Sequence, residues 1–238
     1  TETMTVNMGP QHPSTHGVLR LVLTLDGETV LAIQPTVGYL HTGIEKTAEQ
    51  KKWQQVIPLV ERMDYLSSHS NTLSYVLSVE KLLGLQMPDR VIWIRVLLVE
   101  LQRLNSHLVW LGTHGMELGA VTVLLYTFNE RERILNVNEL IAGFRMFPSY
   151  IRVGGLREDL PYGFHDAVRQ ILDRLPGKID EFEDLLTKNE IFVRRTRNVG
   201  VISKADAHAW GLVGPNARGS GSTYDVRKAF PYCGYETF

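Results

Sequence analysis

Two short runs rich in Leu, Val and Ile stand near the start of the chain, at Val18–Leu25 and Thr29–Ile33. The pair Asp26-Gly27 separates them, and this pair between such runs is a strong signal for a tight turn joining antiparallel strands. We therefore predict a β-hairpin over residues 18–35.

Apolar residues at helical spacing dominate the chain from residue 43 to about residue 190. A first helical stretch is predicted over residues 43–84, with a break or a new first turn at Pro58 because proline lacks the backbone N–H. The strongest pattern runs from Asp89, a predicted N-cap, to Leu111, and it has a wide apolar face. Further helices are predicted at residues 127–144, 163–175 and 177–188.

The pattern becomes irregular after about residue 190. Ile191–Val193 and Val199–Ile202 are predicted as short extended pieces, and Gly214-Pro215 and Gly219–Gly221 as loops. The expected fold is mainly α with α+β character, in which an N-terminal β-hairpin or small sheet packs on a helical bundle. The predicted segments are a hairpin region with a His-bearing loop, a helical bundle and a mixed C-terminal segment, at residues 1–42, 43–190 and 191–238.

Composition narrows the class of protein. A chain of 238 residues with 44% apolar and 21% charged residues can bury a core as a soluble globular protein. The net charge of -1 argues against a nucleic-acid partner. The longest apolar stretch, Leu118–Phe128, is too short to cross a bilayer, and we expect no secretion signal. The one cysteine, Cys233, excludes an internal disulfide and an all-cysteine cluster held by this chain alone.

Candidate chemistry begins at His16, in the loop Gly9–Gly17. Glycines and prolines make this loop irregular, and an imidazole presented on a loop can donate a hydrogen bond or a proton near neutral pH. A histidine satisfied by backbone groups is the ordinary alternative. His12, four residues earlier, could form a metal pair with His16 only on a helix, which the prolines oppose.

Tyr65 is predicted to lie inside a helical stretch, where its phenol can donate a hydrogen bond to a ligand oxygen. An amphipathic core tyrosine is the commoner role. Glu117 precedes an apolar run and must be exposed or paired, because burying a lone carboxylate is costly. His107 and His114 are two helical turns apart, and a satisfied or solvated pair is the more ordinary reading than a metal site.

Several motifs together resemble the D subunit of the proton-pumping NADH–quinone oxidoreductase, respiratory complex I, a family descended from the large subunit of nickel–iron hydrogenases. The resemblance runs along essentially the whole chain. Its motifs are Gly9–Gly17, Gly38–Lys46, Arg62–Tyr65, Val79–Leu83, Tyr150–Gly155, Asp159–Pro161, Arg218–Gly221 and Tyr224–Lys228.

The resemblance implies a catalytic site of His16, Tyr65 and Glu117. His16 and Tyr65 would bind the headgroup of a quinone, which is the substrate, and Glu117 would pair with His16. Arg62 would lie beside a terminal 4Fe-4S cluster held by a partner subunit. No metal or cofactor would be ligated by this chain itself.

The resemblance also implies a hydrogenase-large-subunit-like fold in the peripheral arm of the complex. The chain would be part of a proton-translocating enzyme and inactive alone. Its partners would be the other complex I subunits, namely the cluster-bearing B subunit, the C subunit and the membrane-embedded H subunit. It would lie on the cytoplasmic face of the inner or plasma membrane, or on the equivalent organellar face, with no transmembrane segment.

Two alternatives remain beside this reading: a non-catalytic structural or assembly paralogue, and a membrane-bound hydrogenase large subunit. The hydrogenase cysteine motif maps onto Arg62–Ser67, where no cysteine stands, which opposes the second. Phe147 stands where the family commonly has a histidine, and this supports the non-catalytic paralogue. Glu117 and Thr36 also depart from the usual Asp and His, and family members continue past Phe238, which predicts a fragment, a processed form or a shortened paralogue.

Overall fold

A computed structural model describes residues 3–237 of the chain. Two compact units divide between Lys51 and Lys52. Helices dominate and antiparallel strands are few, which confirms the prediction of a mainly α protein with α+β character. The division into segments at residues 42 and 190 stays a prediction.

The first unit is built on a three-stranded antiparallel sheet. Its strands are β1 (Met4–Met8), β2 (Arg20–Asp26) and β3 (Thr29–Thr36), with β2 in the centre. The predicted hairpin is therefore confirmed as β2–β3. A short helix, α1 (Ile44–Ala48), follows the sheet.

The second unit is helical and begins with the four helices that carry most of its core. These are α2 (Trp53–Val60), α3 (Ser68–Leu83), α4 (Asp89–Glu117) and α5 (Val121–Ala142). A two-stranded hairpin, β4 (Ile151–Arg152) and β5 (Gly155–Leu156), comes next. The remaining helices are α6 (Phe164–Phe182), α7 (Glu190–Thr196), α8 (Lys204–Ala209), α9 (Gly214–Gly219) and α10 (Val226–Ala229).

Two groups of buried side chains hold the second unit together. The larger joins α4, α5 and α6, and the smaller joins α2, α3, α4 and β4 through Ile57, Leu73, Val76, Val99 and Ile151. The long helix α4 contributes to both groups, because its wide apolar face reaches neighbours on more than one side. It is therefore the element around which the rest of the unit packs.

A buried ion pair fastens the small hairpin to the helices. Arg95 on α4 is fully buried and makes two hydrogen bonds of 2.7 and 2.9 Å to the carboxylate of Glu80 on α3. Arg95 also donates to the carbonyl oxygens of Arg152 and Gly155, and Glu80 accepts from the N–H of Gly154. The pair thus supplies hydrogen-bond partners to backbone groups of the hairpin turn, including the carbonyl oxygen of the buried Gly155.

The helical predictions need correction in four places. Pro58 lies inside α2 and marks neither a break nor a first turn. Tyr65 lies in a run of turns between α2 and α3, not inside a helix. Asp89 is the first helical residue, with Pro88 as the N-cap, and α4 continues to Glu117. The helices predicted at 163–175 and 177–188 are one continuous helix, α6, followed by a π-helical turn at Glu183–Thr187.

The C-terminal segment also differs from prediction. Ile191–Val193 is helical, because the Asn189 side chain accepts hydrogen bonds from two backbone N–H groups at the start of α7. Gly214-Pro215 opens α9 instead of forming a loop, since proline is well suited to a first helical turn. Residues 199–202 form neither strand nor helix.

Candidate functional site

A tightly built loop presents His16 in the first unit. The buried Thr15 donates its hydroxyl to the carbonyl oxygens of Pro10 and His12, at 3.1 and 3.0 Å. His16 itself caps the 3₁₀ turn Pro13–Thr15 in the left-handed region, with φ 54°, and is exposed. The loop is therefore fixed by its neighbours, while the imidazole of His16 stays on the surface.

Gly9 and His12 show why the loop has this form. Gly9 has φ +85°, and a Cβ there would stand 2.0 Å from the carbonyl oxygen of Leu19, so only glycine fits. The Nδ1 atom of His12 accepts a hydrogen bond of 3.1 Å from the N–H of Ser14. Across residues 3–237, no group of three or more His, Cys, Asp or Glu side chains could hold a metal ion.

In the second unit, hydrogen bonds from α3 and α4 fix the turn that carries Tyr65. Asn71 on α3 donates to the carbonyl oxygen of Asp64 at 2.9 Å, and Gln102 on α4 donates to that of Leu66 at 2.6 Å. The carboxylate of Asp64 accepts from the N–H of Leu66. Tyr65 stands between these anchors with 46% of its surface exposed. The phenol is thus held on a braced turn and remains available to a ligand.

Arg62, in the same motif, lies against Phe147. Its guanidinium carbon is 4.4 Å from the centre of the Phe147 ring, a cation–π contact, and its Nη1 atom donates to the carbonyl oxygen of Pro58 at 2.6 Å. A cavity of about 320 Å³ opens beside both side chains. Three further arginines line it, at positions 145, 152 and 157. Glu61 also lines the cavity, and two of the arginines pair with carboxylates, Arg145 with Glu132 and Arg157 with Glu158.

Glu61 is a residue of this region that sequence analysis missed. It is 1% exposed, and it accepts hydrogen bonds from the N–H and the hydroxyl of Ser149 at 2.6 and 2.7 Å. Burial raises the pKa of Glu61, an effect that the bonds from Ser149 and the charge of Arg62 oppose. By holding Ser149, Glu61 fixes the loop that presents Phe147 to Arg62. The one available signal was a carboxylate directly before the arginine of the motif.

Glu117 is the last residue of α4 and is exposed. The next residue, Leu118, accepts a hydrogen bond of 2.6 Å from Arg195 through its carbonyl oxygen, which fixes the end of the helix. Tyr65 and Glu117 share no hydrogen bond among the described residues. His16 belongs to the first unit, and Glu117, Arg62 and Tyr65 belong to the second. Their assembly into one site stays a prediction.

The two histidines of α4 have different surroundings. The ring of His114 stacks on Trp110 with its centre 5.7 Å away, and Phe192 meets it edge-on. His107 lines two cavities, and burial lowers its pKa, helped by the charges of Arg103 and Arg218.

Within the described residues, no helix is long and apolar enough to cross a membrane.

Comparison with known proteins gives a consistent result. Residues 117–238 match the family described as respiratory-chain NADH dehydrogenase, 49 kDa subunit. The whole chain is 58% identical to a protein from Koribacter versatilis (strain Ellin345) named as the second D subunit of NADH-quinone oxidoreductase, covering 59% of that relative. It is 59% identical to the second D subunit of Chloroflexus aurantiacus, covering 58% of it, and 54% identical to the D subunit of Geobacter sulfurreducens, covering 61%. The chain therefore spans about three fifths of the length of these curated relatives.

Proposed function

The chain belongs to the family of the 49 kDa subunit of respiratory-chain NADH dehydrogenase, and from this premise we propose that it forms the quinone-reduction site of a proton-translocating NADH:quinone oxidoreductase. The observation that carries the proposal is the 54% to 59% identity, over the whole chain, to proteins named as the D subunit of NADH-quinone oxidoreductase. The exposed phenol on a braced turn supports the position of the site.

Reduction of a quinone to a quinol adds two electrons and two protons, and each oxygen becomes strongly basic as it gains charge. Tyr65 donates a hydrogen bond or a proton from its phenol hydroxyl to one oxygen of the headgroup. His16 likewise donates a hydrogen bond or a proton to the headgroup. Glu117 orients the imidazole of His16 and stabilises its protonated form.

A 4Fe-4S cluster held by a partner subunit would supply the electrons for the quinone. This chain has one cysteine, so it lacks the thiolates that ligate such a cluster. Arg62 is placed beside the cluster by the resemblance, and Arg152 lines the same cavity as Arg62. Arg62 stabilises negative charge there, while Phe147 and Pro58 keep its guanidinium in place.

The same proposal names the assembly. The cluster-bearing B subunit would supply the electrons, and the C subunit and the membrane-embedded H subunit would complete the neighbourhood of the site. The chain lies on the cytoplasmic face of the membrane, or its organellar equivalent. It is inactive alone, because its proposed substrate receives electrons from a centre in another protein of the complex.

Replacement of Tyr65 by phenylalanine tests the proposal. In the assembled complex, Tyr65→Phe should lower NADH-driven quinone reduction about a hundredfold, the scale expected when a proton donor is removed. Electron transfer from NADH to an artificial acceptor upstream of the quinone should persist. Tyr162→Phe is the matched control, because Tyr162 is a fully exposed tyrosine of the same unit.

Loss of both activities in Tyr65→Phe would indicate damage to the assembly. An unchanged rate of quinone reduction, with the variant chain verified in the complex, would contradict the assignment of Tyr65. The chain would then serve as structural scaffold.

A further inference from the structure

We propose that two adjoining cavities in the second unit bind an amphiphilic anion, a molecule with one anionic head and one alkyl tail. The site is separate from Tyr65 and Arg62, and the proposal does not rest on the proposed function. A phospholipid or a fatty acid could supply this chemistry.

The first cavity is apolar and has a volume of about 390 Å³. Helix α4 forms one wall and α6, with the π-helical turn that follows it, forms the other. The apolar lining consists of Leu104, Leu108, Trp110, Leu111, Leu175, Ile179 and Phe182. Contact with a hydrocarbon chain removes such a surface from water, which favours binding. Glu183 and Thr187 are the polar groups of the turn at its edge.

The second cavity is cationic and has a volume of about 300 Å³. Three arginines line it, from α4, α9 and α10, together with His107 and one carboxylate, Asp225. The arginines are Arg103, Arg218 and Arg227. Guanidinium groups are the residues of choice for phosphate and carboxylate, since their planar N–H groups match the oxygen atoms of both.

Two carboxylates neutralise two of these arginines. Arg227 pairs with Asp225 at 2.8 Å and with Glu100 at 3.3 Å, and Arg103 donates to Glu100 at 3.0 Å. Arg218 has no ion pair with any described residue. The cavity therefore keeps one positive charge that its own side chains leave without a counter-charge. An anionic head would supply the missing counter-charge.

The two cavities meet at His107 and Pro215, which line both. An anion bound near Arg218 can thus continue into the apolar cavity past the imidazole of His107. Arg103 and Arg218 help to lower the pKa of His107, after the larger effect of burial. This agrees with an excess of positive charge at the junction. A head with a tail fits this arrangement better than a head or a tail alone.

Binding of three probes to the full-length protein tests the proposal. Dodecyl phosphate, dodecanol and inorganic phosphate are titrated by calorimetry below the concentration at which dodecyl phosphate forms micelles. Dodecyl phosphate should bind more tightly than either of the others. A parallel titration with dodecanoate distinguishes a preference for phosphate from one for carboxylate, the two sources of the head.

Variants separate the two halves of the site. Arg218→Gln should weaken dodecyl phosphate about tenfold, the loss expected for a charge-assisted hydrogen bond, and leave dodecanol unchanged. Ile179→Trp, at a half-exposed position of the apolar wall, should fill the cavity and weaken dodecyl phosphate without affecting inorganic phosphate. Arg194→Gln is the control, because Arg194 is an exposed arginine paired with Glu190 on α7.

Two results would overturn the proposal. One is the absence of saturable binding of both dodecyl phosphate and dodecanoate, including the case in which a protein surface covers the cavities. The other is binding that Arg218→Gln and Arg194→Gln affect equally, which would mean that general charge, and not this cavity, attracts the anion.

Discussion

Glu61 helps to fix the side chains that surround Arg62, the arginine of the Arg62–Tyr65 motif. The motif itself could be found in the sequence, and so could His16, because their residue types and the resemblance point to the same chemistry. Glu61 could not be found in the sequence, because a carboxylate directly before an arginine indicates an exposed charge. Its burial depends on Ser149, which lies 88 positions away in the chain. Contacts over such distances are set by packing, which no local pattern encodes.

His69 makes stability depend on pH. It is 1% exposed on α3, and its Nε2 atom lies 3.2 Å from the side-chain oxygen of Asn138 on α5. Burial lowers its pKa from 6.5 to about 4. The unfolded chain therefore binds a proton that the folded chain does not, and stability should fall as the pH falls from about 6.5 to about 4.

At about 1.4 kcal/mol for each pH unit, this loss is at most about 3.5 kcal/mol. Urea unfolding of the full-length protein at several pH values measures it. His69→Gln serves as the comparison, because glutamine can keep a hydrogen bond to Asn138 without titrating. The difference in unfolding free energy between the two proteins should change across this range and level off below pH 4. A constant difference would show that His69 does not titrate as described.

At the scale of elements, α4 and α5 approach closely at Gly112. A Cβ at this position would lie 2.3 Å from the Thr127 hydroxyl oxygen and 3.2 Å from the Cα atom of Leu124. Thr127 is fully buried and cannot move away easily. Gly112→Ala should therefore destabilise the protein by about 1–3 kcal/mol, the usual cost of overpacking a core.

Gly177→Ala is the matched control for this prediction. Gly177 lies inside α6 with nothing within 4 Å of the added Cβ. Alanine there should stabilise the protein by about 0.5–1 kcal/mol through its higher helix propensity. Thermal unfolding of both variants measures the two effects. Equal shifts of the two Tm values would disprove the close approach of α4 and α5 at Gly112.

Periodicity predicted the hairpin β2–β3 and the long helix α4, because both have strong local patterns. It missed β1, a short strand whose ladder depends on β2, which pairs Val6 with Leu23. It also predicted two helices separated at Pro176. The structure has one helix, α6, that continues through the proline and buries Leu175 and Phe182 in the core. Tertiary packing overrides local preference in such places.

At the scale of the whole molecule, sequence similarity predicted the family, and comparison with curated relatives confirmed it. Two of the residues proposed for the site belong to different compact units, His16 to the first and Tyr65 to the second. The resemblance implies that both residues bind the same ligand, the quinone headgroup. Binding of that ligand is therefore the central claim.

A quinone with a photoreactive group on its headgroup tests this claim most directly. The probe is bound to the assembled complex, cross-linked by light, and its adducts are mapped to peptides by mass spectrometry. Adducts should lie in the peptides that contain Gly9–Gly17 and Arg62–Tyr65, and excess unmodified quinone should abolish them. Adducts that quinone abolishes but that lie only on other proteins of the complex, or only on distant peptides such as the one containing Tyr162, would contradict the quinone site proposed for this chain.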